Sequence, residues 1–328
     1  MKKIVFVSVA IFATLLLPPG ATVRADGPVA PGMAEPGMAD APAAPAPDPR
    51  KAWRDETIAK IKAAADALTR NATIREFVKQ DQKGDCVDAL CVLALESKKD
   101  KSPDLRVSIV RALGRPGLAA AVPTLLGLVE DKDDEVRSNV YVSLEYIGAV
   151  TSVDALTKRL PKEKDDARYD NVCRALGHCG AKQDAVRKTL IHEMNTAKSD
   201  RAIAGPVIGL TYFEKDADVA RAVEKAAAKE GERVKKSFLL WALTEIKDPK
   251  SAEFVKKEIL PKETVPLALG FDNAIYNVLS GNDDGSAQVV VSQGMGWVLG
   301  QVGGISDSAR LGREDAGFQP KGEFTAGR

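Results

Sequence analysis

The chain has 328 residues, 45% of them hydrophobic and 28% charged, with a formal net charge of +1. That balance excludes bulk nucleic-acid binding, which needs clustered excess Lys and Arg to neutralise phosphates.

Met1-Lys2-Lys3 leads into an apolar run from Ile4 to Leu17, broken by Pro18-Pro19-Gly20 and followed by Val23-Arg24-Ala25 before Asp26. A basic start, a short apolar run and small residues three and one places before a cut describe a secretory signal peptide over residues 1–25, cleaved after Ala25. The run is shorter than the roughly 20 residues a bilayer span requires, so the mature chain is expected to have no membrane span. Losing Lys2, Lys3 and Arg24 would take the net charge from +1 to −2, and the expected location is periplasmic or secreted. Residues 26–50 are a Pro/Ala-rich linker, with seven Pro between positions 28 and 49. Such a composition buries too little apolar surface to offset chain entropy.

From 51 to 281 the chain is rich in Ala, Leu, Val, Lys and Glu, with Gly and Pro confined mostly to the intervals between apolar stripes, which predicts helix throughout. The segment repeats itself. PDLRVSIVRALGRPG aligns with DEVRSNVYVSLEYIG: Arg106 matches Arg137, Ile109 Val140, Leu113 Leu144 and Gly117 Gly148, each 31 residues apart. The second helices match as well, with Val122, Leu125 and Val129 against Val153, Leu156 and Leu160 at the same spacing of 31. ARYDNVCRALGHCG continues the series through Val172, Leu176 and Gly180, and later units carry the pattern in weaker form up to residue 260. Each unit is a helical hairpin with too little core of its own, so successive hairpins must stack. Gly114, Gly117, Gly148, Gly177 and Gly180 are expected to end first helices, with Asp104 and Asp134 favouring helix starts.

DLRVSIVRALGRPG followed by AVPTLLGLV resembles the short bacterial HEAT-like repeats. The resemblance implies an all-α fold, an α-solenoid of stacked helical hairpins forming a HEAT-like superhelix of six or seven hairpins. It also implies second helices along the concave side. Some relatives of this kind resemble chromophore-lyase subunits, but an exported chain has no pigment substrate in reach. The expectation is therefore a non-enzymatic protein-interaction scaffold, with no cofactor and no catalytic residue.

Two places could carry chemistry. The second helices hold a modest cationic excess, and Lys158, Arg187, Lys188, Arg221 and Lys225 would line a groove for an acidic protein or peptide. The alternative is a thiol- or metal-dependent accessory protein centred on Cys173, His178 and Cys179. There the repeat places Cys179 at the core slot of Ile147, so buried thiols, a Cys173–Cys179 disulfide and a bound metal all remain open. The spacings of zinc ribbons, thioredoxins and haem attachment are absent, as are a nucleophile elbow, an H-E-x-x-H helix and a phosphate loop. The runs Glu130–Glu135 and Lys162–Asp166 read as solvated loop rims. Residues 282–305 are a Gly-rich apolar cap or docking segment, and 306–328 a disordered tail.

Overall fold

A computed structural model describes residues 49–80, 85–197 and 202–302. The chain divides between residues 47 and 48, and every described element lies on the C-terminal side of that division. The expected signal peptide, most of the linker and the tail from 306 lie outside the described residues.

Helix α1 (Pro49–Ala63) precedes seven hairpins. In chain order they are α2 (Ala67–Lys79) with α3 (Asp85–Glu96), α4 (Asp104–Leu113) with α5 (Val122–Leu128), and α6 (Asp134–Ile147) with α7 (Val153–Arg159). Then come α8 (Asp166–Cys179) with α9 (Asp184–Thr196), α10 (Ala204–Thr211) with α11 (Ala217–Lys229), and α12 (Arg233–Ile246) with α13 (Ser251–Phe254). The last hairpin is α14 (Pro266–Ser280) with α15 (Ser286–Val302), so the Gly-rich segment expected as an apolar cap or docking segment includes a regular helix. The described residues contain no strand. This is the all-α solenoid the repeat implies.

Helix boundaries obey local chemistry. Asp66, Asp133, Asp165 and Asp216 stand one residue before their helices, and their carboxylates accept from exposed backbone N–H groups. Each such cap contributes about 1 kcal/mol. Asp104 and Asp134, expected to favour helix starts, are the first residues of α4 and α6, so they act on the helix dipole and not as caps, and Asp134 pairs with Arg137. Gly148 closes α6 in the left-handed region at φ 68°, as expected of it.

Gly177 is different, because it lies inside α8 and not at its end. A Cβ on Gly177 would fall 2.2 Å from the carbonyl oxygen of Gly209 in α10, so it is the absence of a side chain that is used here. Gly209 in turn lies against the Cys173 carbonyl, and Gly205 against the backbone of Asp170. The backbones of α8 and α10 therefore touch.

Successive first helices (α2, α4, α6, α8, α10, α12) pack on one another, and the second helices α3, α5, α7, α9 and α11 each pack on the first helix that comes after them. One continuous apolar core runs from Ile61 to Val298, with Val186, Leu190 and Met194 of α9 and Val219, Val223 and Ala227 of α11 facing it as their spacing predicts. The acidic loop runs are not merely solvated rims. Asp131 and Glu163 are buried. Arg106, itself fully buried, pairs with Asp131 at 3.1 Å, and Arg137 repeats the arrangement with Glu163 at 2.9 Å. Arg137 also donates to the Asp131 carbonyl at 2.7 Å, which links consecutive units through one side chain.

Candidate functional site

The five cations expected to line a groove all lie on second helices, but three are paired within the chain. Arg187 pairs with Asp184, with Asp216 at 3.1 Å and with Asp218 at 3.0 Å. Arg221 pairs with Glu224 at 2.7 Å and with Asp248. Lys188 reaches Asp184 at 2.6 Å, while Lys158 and Lys225 are exposed on α7 and α11. Arg221 thus neutralises two buried carboxylates. Arg221→Glu is expected to lower the melting temperature by several degrees even without any partner, because it leaves Asp248 and Glu224 facing a third negative charge. A thermal melt of the isolated chain checks this.

The residues of the alternative site are near in sequence but do not converge as a ligand set. Among the described residues no group of three or more His, Cys, Asp and Glu is placed to hold a metal ion. All four cysteines are free thiols, with Cys86, Cys173 and Cys179 buried and Cys91 half-buried. Burial pushes the Cys173 thiol well up, aided by Asp170 and Glu193, and burial with Glu145 nearby pushes Cys179 up to about 12. Cys179 donates to the Leu144 carbonyl at 3.4 Å. Since the thiolate is the nucleophile, the folded protein should alkylate first at Cys91 and leave Cys173 and Cys179 unmodified until it unfolds, as intact-mass analysis in native buffer and in denaturant would show.

His178 faces elsewhere, and it is part of a site that sequence reasoning did not assemble. Its ring stacks on Tyr212 with centroids 4.8 Å apart, and its Nδ1 meets the Glu145 carbonyl. A carbonyl only accepts, so it is Nδ1 that carries a proton in this contact. Tyr212 Oη donates to Glu145 Oε1 at 2.9 Å. Glu145 is fully buried on α6, while His178 on α8 and Tyr212 just past α10 are half-buried. Gly148 fits against the imidazole, where a Cβ would fall 2.7 Å from His178 Cε1.

The ends of three successive first helices, α6, α8 and α10, thus bring a carboxylate, an imidazole and a phenol together, a set able to donate, accept or move a proton. Further along the same helices Arg174, fully buried, pairs with Asp170 at 3.1 Å. Asn171 donates to Ser138 at 3.0 Å, and Ser143 to the Val110 carbonyl at 2.9 Å. The family resemblance puts second helices on the concave side. Between 134 and 213 it is the first helices that are drawn together, since Tyr212 reaches Glu145 past α8. One signal was available in the sequence: Glu145 takes the register position held by Gly114 and Gly177 in the flanking units.

Comparison with known proteins agrees with the repeat. Residues 87–177 match the family model for HEAT repeats. A curated relative, the phycocyanobilin lyase subunit alpha of Picosynechococcus sp. (strain ATCC 27264 / PCC 7002 / PR-6), is 33% identical over an alignment of 150 residues that covers 40% of this chain. The match covers 55% of that relative, so the chain spans about half of its length. Among solved structures, the complex of CpcE and CpcF of phycocyanin lyase from Nostoc sp. PCC7120 is 21% identical with a TM-score of 0.43, covering 80% of this chain and 100% of that one. Human deoxyhypusine hydroxylase in complex with glycerol is 12% identical with a TM-score of 0.34, covering 78% and 98%. The expectation of a non-enzymatic scaffold is corrected by the curated relative, which is named as part of a lyase.

Proposed function

We propose that this HEAT-repeat chain is a subunit that holds a partner protein against its first-helix layer, at the point where Glu145, His178 and Tyr212 meet. The observation that carries the reading is the Tyr212–Glu145 hydrogen bond of 2.9 Å, formed by a fully buried carboxylate where flanking units place Gly. A buried carboxylate is a weak choice for stability alone, because desolvation offsets most of what its partners return. Crosslinking with mass spectrometry tests it, comparing the natural chain with Glu145→Gln, Tyr212→Phe and a variant reversing Lys158, Arg187, Lys188, Arg221 and Lys225 to Glu. Loss of one dominant partner in the first two variants supports the first-helix site. Loss only in the charge-reversed variant, with its fold intact, moves the contact to the second helices and sinks this reading.

Export belongs to the same proposal, on the strength of the signal-like segment 1–25. N-terminal sequencing of the chain from the extracytoplasmic fraction should begin at Asp26.

A second reading is favoured by the curated relative: lyase-type chemistry on a phycocyanobilin-like tetrapyrrole, with the imidazole, phenol and carboxylate of this site handling protons. Adding phycocyanobilin to the purified chain, alone and with its recovered partner, should then shift the pigment's visible absorbance, and Tyr212→Phe should weaken the shift. An unchanged spectrum in both mixtures rejects it.

A further inference from the structure

The two ends of the helical stack differ in kind. At the start, α1 carries seven charged residues in 15, with exposed i,i+4 pairs Lys51–Asp55 and Lys60–Glu56, as a solvated cap should. At the other end, α15 has no charged residue, and α14 has only Asp272, which is fully buried against Arg233 at 2.7 Å. The charges between them are Asp283 and Asp284 in the connecting turn, whose carboxylates accept from the backbone at the start of α15.

Helix α15 packs inward through Ala287, Val291 and Met295 and leaves Val289 and Val290 outward, 53% and 44% exposed. Leu267 at the start of α14 is 88% exposed, and Val265 just before it 55%. Four of the eight exposed large apolar residues among the described residues therefore fall within one stretch of 26 positions. We infer that the α14–α15 end of the solenoid is an interface for a second copy of this chain, the two copies joined end to end by the same surface.

Charge selects this occupant. An acidic or basic partner finds no complementary charge on α14 or α15. A lipid surface would be met by helices with Lys and Arg flanking the apolar face, and neither helix has one. Head-to-tail stacking onto α1 would bury Lys51, Asp55, Glu56 and Lys60 against an uncharged face, at a desolvation cost nothing repays. A two-fold contact joins the same patch on both copies, residue i meeting j and j meeting i, so an uncharged apolar patch is complementary to itself. A helix of 17 residues is about 25 Å long and about 10 Å across, so the pair of helices offers at most about 500 Å² a side, at the lower bound for a specific interface.

Sedimentation velocity of the full chain over a dilution series tests this, with Val289→Asp/Val290→Asp and Leu267→Asp as separate variants and Lys51→Glu/Asp55→Lys as a control. The expected result is a reversible dimer whose dissociation constant rises about tenfold or more in the first two variants, with circular dichroism and melting unchanged. A natural chain that is monomeric at every concentration overturns the inference. So does a dimer that only the α1 control weakens, which would mean head-to-tail stacking. A monomer that co-sediments with phosphatidylcholine–phosphatidylglycerol vesicles, or that captures a different protein through Val289 and Val290, overturns it in favour of that occupant.

Discussion

Replacing Glu163 with Gln is expected to destabilise the chain by about 3 kcal/mol at neutral pH, among the largest losses from any single isosteric change. Glu163 sits between three guanidinium groups: Arg137 at 2.9 Å, Arg159 at 2.8 Å and Arg168 at 3.1 Å. Tyr141, fully buried, donates to the same carboxylate at 2.7 Å, and Arg159 donates to the Tyr141 oxygen at 3.1 Å. Gln keeps the shape and one acceptor but removes the negative charge. Arg137 and Arg159, 9% and 11% exposed, would then share what remains of Asp134 and Glu130.

The pH dependence has its origin in the same geometry. Burial alone would raise the Glu163 carboxyl, but hydrogen bonds from Arg137, Tyr141 and Arg159 outweigh it and hold the group down at about 2. An unfolded Glu titrates near 4.3, so the folded value is the lower one. The contribution is therefore complete above about pH 5 and is lost as pH falls through 4 toward 2. Denaturant melts of the natural chain and Glu163→Gln should differ most at pH 7 and converge near pH 2. Parallel curves at every pH would show that Glu163 is not ionised in the fold.

Gly177→Ala is the second large effect, and its sign is the informative part. In an open helix the change from Gly to Ala stabilises by up to about 1 kcal/mol. At position 177 the new methyl would lie 2.2 Å from the Gly209 carbonyl oxygen and 2.4 Å from its Cα, and backbone cannot rotate aside as a side chain can. α8 and α10 must separate, at a cost of about 3 kcal/mol, or a fall of about 10 °C in melting temperature. Gly270→Ala is the control, because nothing lies within 4 Å of a Cβ there and α14 is helical on both sides. It should hold or slightly raise the melting temperature. If both variants melt alike, the close approach of α8 and α10 is not a feature of the folded chain.

These two sites show what the sequence makes legible. The 31-residue spacing locates both layers of helices from 104 to 160, because an apolar stripe is a local signal repeated in register. Gly177 reads wrongly as a helix end because Gly serves two purposes, a positive φ and the absence of Cβ, and only the neighbouring backbone decides between them. Glu163 reads as part of a solvated rim because its partners Arg137 and Tyr141 lie 26 and 22 residues upstream, beyond any local pattern. The matched pairs Arg106 with Asp131 and Arg137 with Glu163 are the regularity that could have revealed it. Tyr212 is illegible for another reason. It stands in a unit where the repeat has degraded, and its link to Glu145 skips a whole helix.

The contact between α8 and α10 also sets how the chain answers a mechanical load. A solenoid whose units touch only their neighbours extends like a spring, and its compliance lies wherever helices can slide past each other on side chains. Where two backbones meet with no side chain between them, at Gly177 and Gly209, sliding is blocked. Pulled in an optical trap, the described helices should unravel inward toward this contact and rupture last where α8 and α10 meet, a stiff node in an elastic rod.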